Sequence, residues 1–415
     1  MNKKVIVVHP GKQHSFRLAE ALKKDNMLLN YVTTVYDKKY SLTHLFGSFL
    51  KGDNKKRFLT RKSGIFDENV VQFCEFEVLM LLMLYRMLPK SKITIAVEKH
   101  IHKLVYLKTI KFAAKNNADA IVFYGGLSEK HFELKNRICP NIKFIVDVPT
   151  PTNEYMQKVL ENDIKITGNE YIRIEQATTW HSSEGKIPIR YKLADGFLAG
   201  SEFVKKSLTD FGTDANKIKI VPYGVDTSRF TLKDFGSENQ KVRFIFVGRV
   251  NRRKGIQHLL PAFEKLDSDK AELILVGQYD ENDVLVKKYK NAENITFKGF
   301  VTQDVVTELY KSADVFVLPS LGEGLAQVCI EAMASGLPVV VSENTGITDL
   351  ITDGNEGLIV PASDTAKLFG AMNWFVENKK SIPDMGLKAY NTAKKYTWDY
   401  YESNAAAAIR ELLGE

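Results

Sequence analysis

The chain has 415 residues, 44% of them hydrophobic and 26% charged. That composition fits a globular protein of two domains, or three small ones, and excludes wholesale disorder. Its three cysteines, Cys74, Cys139 and Cys329, are too few and too scattered for a disulfide framework or a cysteine-rich zinc site, and they suit a reducing compartment. The net charge of +8 is unevenly spread: residues 1–222 carry 36 Lys and Arg against 23 Asp and Glu, whereas residues 223–415 carry 22 against 27. The imbalance suggests a polyanion or an anionic membrane facing the first half; the plainer alternative is a scattered, solvated lysine surface.

The chain opens MNKKVIVVHPG. The apolar run stops at His9-Pro10-Gly11, too short for a secretory leader, and reads as a buried strand. HPGKQHS (9–15) and the helix Ser15–Lys24 follow. Gly11 in that strand–helix turn would let a ligand approach the backbone, and Lys12, Gln13 and His14 are candidate ligand contacts, His14 being otherwise a helix-start histidine. Residues 31–62 interleave Lys with Tyr and Phe. Next comes the longest apolar stretch, Phe73–Leu88, broken by Glu75, Glu77 and Arg86 and short of the roughly 18–20 residues that span a bilayer. Its Val78–Leu88 part reads as a core helix or, with the basic segment, as a surface for an anionic bilayer. The same pattern could serve RNA, but no nucleic-acid module accompanies it, so no nucleic-acid partner is expected.

Further strands are expected at Ala120–Tyr124, Lys143–Asp147, Gly196–Ala199 and Ile218–Pro222, with a helix at Leu104–Lys115. Asp147 precedes a rigid Pro-Thr-Pro turn and could accept a hydroxyl or act as a base, or merely form a turn. His181 and Glu184 are further polar candidates in TTWHSSEG. PYGVDTSRFTLKDFGSENQ (222–240) is polar and turn-rich and reads as the domain boundary.

Beyond it, strands are expected at Val242–Val247, Glu272–Val276, Ile295–Lys298, Val315–Leu318, Pro338–Val341 and Gly357–Val360. Helices are expected at Ile256–Leu266, Thr302–Lys311 and Leu325–Ser335. Runs such as FIFV, LILV and VFVL indicate strands covered on both faces. The reading is therefore α/β, with two doubly wound domains facing a cleft: 1–222, joined by a closing helix in 397–415, and 223–396. Gly248-Arg249 and Lys254-Gly255 lie between a strand and a helix start, where anions bind. Arg249 offers a two-pronged donor for phosphate and Lys254 a movable charge, with Arg252 and Arg253 as solvated neighbours. Glu323-Gly324-Leu325 and Glu331 place two carboxylates eight residues apart, able to accept bonds from sugar hydroxyls, while Gly322 and Gly324 would let a ligand approach closely.

These elements together, with SEFV (201–204), PYGVDTSRF (222–230) and EAMASGLPVV (331–340), resemble the retaining glycosyltransferases of family 4, which have the two-Rossmann-domain GT-B architecture. The resemblance is dense over the second half and loose over the first. It implies that Gly11 and Gly248 flank the donor and that Arg249 and Lys254 bind the donor diphosphate. It further implies that Glu331 holds the ribose, that Glu323 with the Gly324 and Leu325 backbone holds the transferred sugar, and that Val301 meets the base. It implies no metal and no cofactor, the donor being a nucleotide diphosphate sugar, and an acceptor that is a saccharide or a lipid-linked saccharide of bacterial surface polysaccharide synthesis. The place implied is cytoplasmic, at the inner face of the membrane. Many members carry a histidine where this chain has Asp147, so Asp147, His14, Lys12, Gln13 and His181 are the acceptor-side candidates, with Asp147 and His14 as catalytic ones beside Arg249, Lys254 and Glu323. The competing readings are a sugar-nucleotide epimerase or a phosphorylase of the same architecture, or a binding subunit without catalysis.

Overall fold

Unbroken apolar runs become strands enclosed on both faces. Every residue of Val5–Val8 and of Val315–Leu318 is fully buried, as expected for parallel sheets sandwiched between helices. The computed structural model describes residues 3–11, 14–48, 52, 61–88, 91–168, 188–235 and 240–415.

The first unit runs β1 (Val5–Val8), α1 (Ser15–Lys24), β2 (Leu28–Thr33), α2 (Leu42–Ser48), β3 (Val70–Gln72), α3 (Glu75–Met87), α4 (Lys92–Lys115), β4 (Ala120–Phe123), α5 (Glu129–Ile138) and β5 (Lys143–Val148). It continues through α6 (Asn153–Thr167), α7 (Ile189–Leu193), β6 (Gly196–Ala199), α8 (Glu202–Thr209) and β7 (Ile218–Ile220). Its seven strands lie in the order β3-β2-β1-β4-β5-β6-β7, all in parallel pairs.

The second unit runs β8 (Val242–Val247), α9 (Ile256–Phe263), β9 (Ala271–Val276), α10 (Val284–Tyr289), β10 (Ile295–Gly299), α11 (Gln303–Ser312), β11 (Val315–Leu318), α12 (Gln327–Ala334), β12 (Val339–Ser342), β13 (Gly357–Val360), α13 (Thr365–Glu377) and α14 (Ile382–Ala393). Its sheet is β10-β9-β8-β11-β12-β13, again parallel throughout. In each sheet the strand order reverses beside the first strand, between β1 and β4 and between β8 and β11. The carboxyl ends there are where open α/β sheets bind ligands.

Helix α15 (Trp398–Leu413) returns to the first unit. Arg410 Nε donates to Asp25 at 2.8 Å, and the Arg17 guanidinium lies 4.9 Å from the Trp398 ring centre. The chain thus crosses between units twice, and the crossings touch: the Val225 N–H donates to the Tyr396 carbonyl at 3.0 Å. A Cβ on Gly224 would lie 2.2 Å from the Thr397 oxygen, so no larger residue fits there.

Several elements differ from the sequence reading. Strand β2 was not expected because Asn30 interrupts its apolar run; the Asn30 amide is satisfied by the Asn69 carbonyl at 3.0 Å. Strand β3 is a three-residue edge, too short for a periodic signal. Helix α4 begins twelve residues before the expected start, because the Ser91 side chain caps it by accepting from the Thr94 N–H at 3.1 Å. The Val78–Leu88 stretch is only half core. Helix α3 buries Leu79 and Leu81 but leaves Phe76, Met80, Met83 and Met87 exposed by 61%, 49%, 38% and 78%. Their spacing of four, three and four residues puts them on one face. Among the described residues no helix is long and apolar enough to cross a membrane.

The two units meet around a buried carboxylate. Asp163 of α6 is fully enclosed; it accepts from His258 Nε2 of α9 at 2.6 Å, from the Gln257 amide at 3.0 Å and from Ser363 Oγ at 2.5 Å. His258 Nδ1 lies 2.8 Å from Thr365 Oγ1. Burial pushes the Asp163 carboxyl up, but the bonds from His258 and Ser363 outweigh it and hold the group below its ordinary value. Removing one partner of a buried, bonded pair costs about 3 kcal/mol or more. Asp163→Ala is therefore expected to lower the unfolding midpoint in urea by that equivalent. Because the folded-state value is depressed, the contribution is complete above about pH 4 and is lost as the pH falls. Parent and variant midpoints should converge in acid, and a gap that stays constant to pH 2 would contradict this.

Candidate active site

At the reversal point of the second sheet, β8 ends at Val247 and is followed by Gly248 and Arg249. A 3-10 turn over Arg252–Lys254 leads through Gly255 into α9. Gly255 has φ +81°, and a Cβ there would lie 1.9 Å from the Pro319 carbonyl oxygen; only glycine brings the start of α9 this close to the end of β11. Arg249 is exposed and has no hydrogen bond or ion pair among the described residues.

The neighbouring cations face inward. Arg252 is buried and pairs with Asp283. Arg253 Nη1 donates to Glu323 Oε1 at 2.8 Å and to the Gly322 carbonyl at 2.8 Å. These two arginines are therefore not the solvated neighbours that the sequence suggested. Lys254 Nζ lies 2.9 Å from the same Glu323 oxygen, and Ser320 Oγ donates to it at 2.7 Å. Burial drives the Glu323 carboxyl up, but Lys254 and Arg253 overcome this and keep it below its ordinary value. The result is a carboxylate held ionised beside the positive end of α9.

Gly324 and Leu325 follow Glu323 in the loop before α12. The space beside Gly324 is taken by the first unit, since a Cβ there would lie 1.8 Å from the Pro149 carbonyl oxygen, and Ser201 Oγ donates to the Gly324 carbonyl at 2.5 Å. The close approach anticipated for a ligand is, at this face, an approach of one unit to the other. Leu325 is buried. Glu331 is half-buried in the middle of α12, with the Gln303 amide 3.4 Å away, and burial raises its carboxyl. Val301 is half-buried beside Phe300, which is 76% exposed.

Across the cleft, Gly11 lies at the end of β1, its N–H donating to His9 Nδ1 at 2.8 Å. His14 occupies the N-cap position just before α1, without a capping bond from its side chain. Its ring turns instead to β5, with Nε2 3.4 Å from Asp147 Oδ1. Asp147 is 3% exposed and sits inside the strand, so it is not a turn former. Tyr223 completes the group, its hydroxyl 3.1 Å from both His14 Nε2 and Asp147 Oδ1. Tyr124 stacks edge-on to His14, ring centres 5.1 Å apart, and Tyr401 of α15 packs on Tyr223 at 5.6 Å. Lys12, Gln13, His181 and Glu184 lie outside the described residues.

Sequence reasoning named most of these residues but gave no role to Arg253, Ser320 or Tyr223. Arg253 carried no distinguishing signal among three consecutive cations. Tyr223 stood in the junction motif PYGVD, the one cue available. Among the described residues no group of three His, Cys, Asp or Glu side chains could hold a metal ion.

Comparisons with known proteins agree with this architecture. The family model described as glycosyl transferases group 1 matches residues 228–392. An uncharacterized glycosyltransferase of Methanocaldococcus jannaschii is 32% identical over 281 residues, covering 62% of this chain and 68% of that protein. Other curated relatives are matched over about half of their length. Among solved structures, a lipopolysaccharide outer core galactosyltransferase superposes with TM-score 0.62 at 13% identity, covering 99% of both chains. HepE of Anabaena in complex with UDP and glucose superposes with TM-score 0.59 at 14% identity, covering 99% of this chain and 100% of that one. The two parallel sheets and their facing cleft are the GT-B fold, and the chain belongs to the group 1 glycosyltransferases.

Proposed function

We propose that this protein is a retaining, metal-independent glycosyltransferase that moves a sugar from a nucleotide diphosphate sugar to an acceptor hydroxyl on a saccharide or lipid-linked saccharide. The observation that carries the reading is the charge arrangement at the start of α9. Among the described residues Arg249 is exposed with no ion pair, beside Lys254, whose ion pair there is with the largely enclosed Glu323 carboxylate.

In this reading Arg249 and Lys254, with the positive end of α9, bind the diphosphate and stabilise its charge as it leaves. Glu323 accepts from hydroxyls of the transferred sugar, and release of Lys254 toward phosphate is matched by those new donors. Glu331 accepts from the ribose, and the backbone of Val301 meets the base. The leaving phosphate takes the proton of the attacking hydroxyl as the new bond forms on the same face. His14 and Asp147 serve the acceptor side across the cleft. HepE, of the same fold, is known with UDP and glucose bound, which agrees with a sugar-nucleotide donor.

The acceptor side also supplies a membrane surface. The exposed Phe76, Met80, Met83 and Met87 stripe of α3, in a half of the chain carrying 36 basic residues against 23 acidic ones, suits the inner face of an anionic bilayer. In this reading the enzyme works at the cytoplasmic face, in synthesis of bacterial surface polysaccharide.

Two outcomes are expected. With a panel of UDP-, GDP-, ADP- and dTDP-sugars, Arg249→Ala and Lys254→Ala should each lower nucleotide release about a hundredfold or more, and Arg249→Ala should keep the parent melting temperature. Near-parent rates in both variants would end the assignment. In co-sedimentation, the protein should bind phosphatidylglycerol vesicles and not phosphatidylcholine ones, and Met80→Asp with Met83→Asp should abolish binding while panel activity in solution persists. Equal binding by the double variant would remove α3 as the docking face.

A further inference from the structure

Three tyrosines surround Asp147: Tyr124 after β4, Tyr223 in the first crossing and Tyr401 in α15. Burial raises all three phenols well above their ordinary value, and the Asp147 charge adds to the shift. The hydroxyls of Tyr124 and Tyr401 are buried without a hydrogen-bond partner among the described residues. Only Tyr223 reaches both Asp147 and His14, at 3.1 Å each.

The direction of these bonds follows from what each group can offer. A carboxylate only accepts, and a phenol has one proton to give. Were His14 protonated on Nδ1, its Nε2 lone pair would face Asp147 Oδ1 at 3.4 Å and would draw the Tyr223 proton away from it. Oδ1 would then receive nothing from either group, which is costly for a buried acceptor. With the proton on Nε2, the imidazole donates to the Tyr223 oxygen, Tyr223 donates to Asp147, and every contact is matched. The remaining ring nitrogen, Nδ1, has no hydrogen bond among the described residues, and the His14 side chain is 17% exposed.

We infer that Tyr223 is a positioning residue: it links Asp147 to His14 so that the imidazole keeps its proton on Nε2 and presents the Nδ1 lone pair to the acceptor, whose attacking hydroxyl still gives its proton to the leaving phosphate. The role given to His14 rests on the proposed sugar transfer; the hydrogen-bond direction does not. A residue of the domain crossing thereby fixes a group at the reversal point of the first sheet.

Long-range proton–nitrogen correlation spectra of the full chain, labelled with 15N-histidine at pH 8.5, read the tautomer directly, with His14→Gln assigning the signal. The parent should show His14 as the Nε2–H form. Asp147→Ala should turn it to Nδ1–H, because the Tyr223 proton then swings to Nε2. Adding Tyr223→Phe to Asp147→Ala should remove that preference. An Nδ1–H parent, or an unmoved tautomer in Asp147→Ala, overturns the inference. Should Asp147→Ala not fold, Tyr223→Phe, which keeps the ring, decides the matter. With the sugar nucleotide turned over in the panel, kcat should fall about tenfold and the donor KM should move less than twofold, whereas Tyr401→Phe should alter neither. Equal kcat in Tyr223→Phe, or equal losses in both tyrosine variants, overturns it as well. The spectra need no substrate, so they stand even if sugar transfer is wrong.

Discussion

A single carboxylate, Glu323, sets the character of the cleft in the second unit. Buried charge is costly unless it is paired and hydrogen-bonded, and here two cations and a hydroxyl converge on one oxygen. That requirement explains much of the local chain path. Arg253 and Lys254 must turn inward, so the segment between β8 and α9 forms a tight 3-10 turn. Gly255 must then bring the helix start against the end of β11. Arg249, three residues before that turn, is left exposed.

The first unit solves a related problem with neutral groups. Asp147 is more deeply buried than Glu323, but its neighbours are an imidazole and phenols rather than fixed cations. Such a group is polarised rather than neutralised, which suits proton handling more than charge stabilisation. The two units therefore bring different electrostatics to their facing ends, cations gathered on a carboxylate in the second and neutral hydrogen-bonding groups in the first.

The architecture was legible in the sequence wherever strands are enclosed on both faces, because continuous runs such as VFVL and FIFV admit little else. It was illegible where a strand carries a satisfied polar residue, as at Asn30, or where an edge is three residues long. Residue type and spacing singled out Arg249, Lys254, Glu323 and Glu331, since a strand, a glycine turn and a helix start form a local pattern, and the fold brings Lys254 and Glu323 together. Tyr223 could not be read in this way. Its partners lie 209 and 76 residues away in the chain, and only the folded sheets bring them together. Helix α3 shows the converse: its composition is that of a core segment, and only packing against α4 decides which face is covered.

The paired crossings at Gly224–Val225 and Tyr396–Thr397 have a mechanical consequence. Two segments of chain clasped at one spot join the halves where the backbone passes between them, and the Asp163–His258 bond joins them at a second place, so turning one half against the other must strain both. Tyr223 is the residue immediately before that clasp, which ties the orientation of an imidazole to the angle at which the two lobes stand.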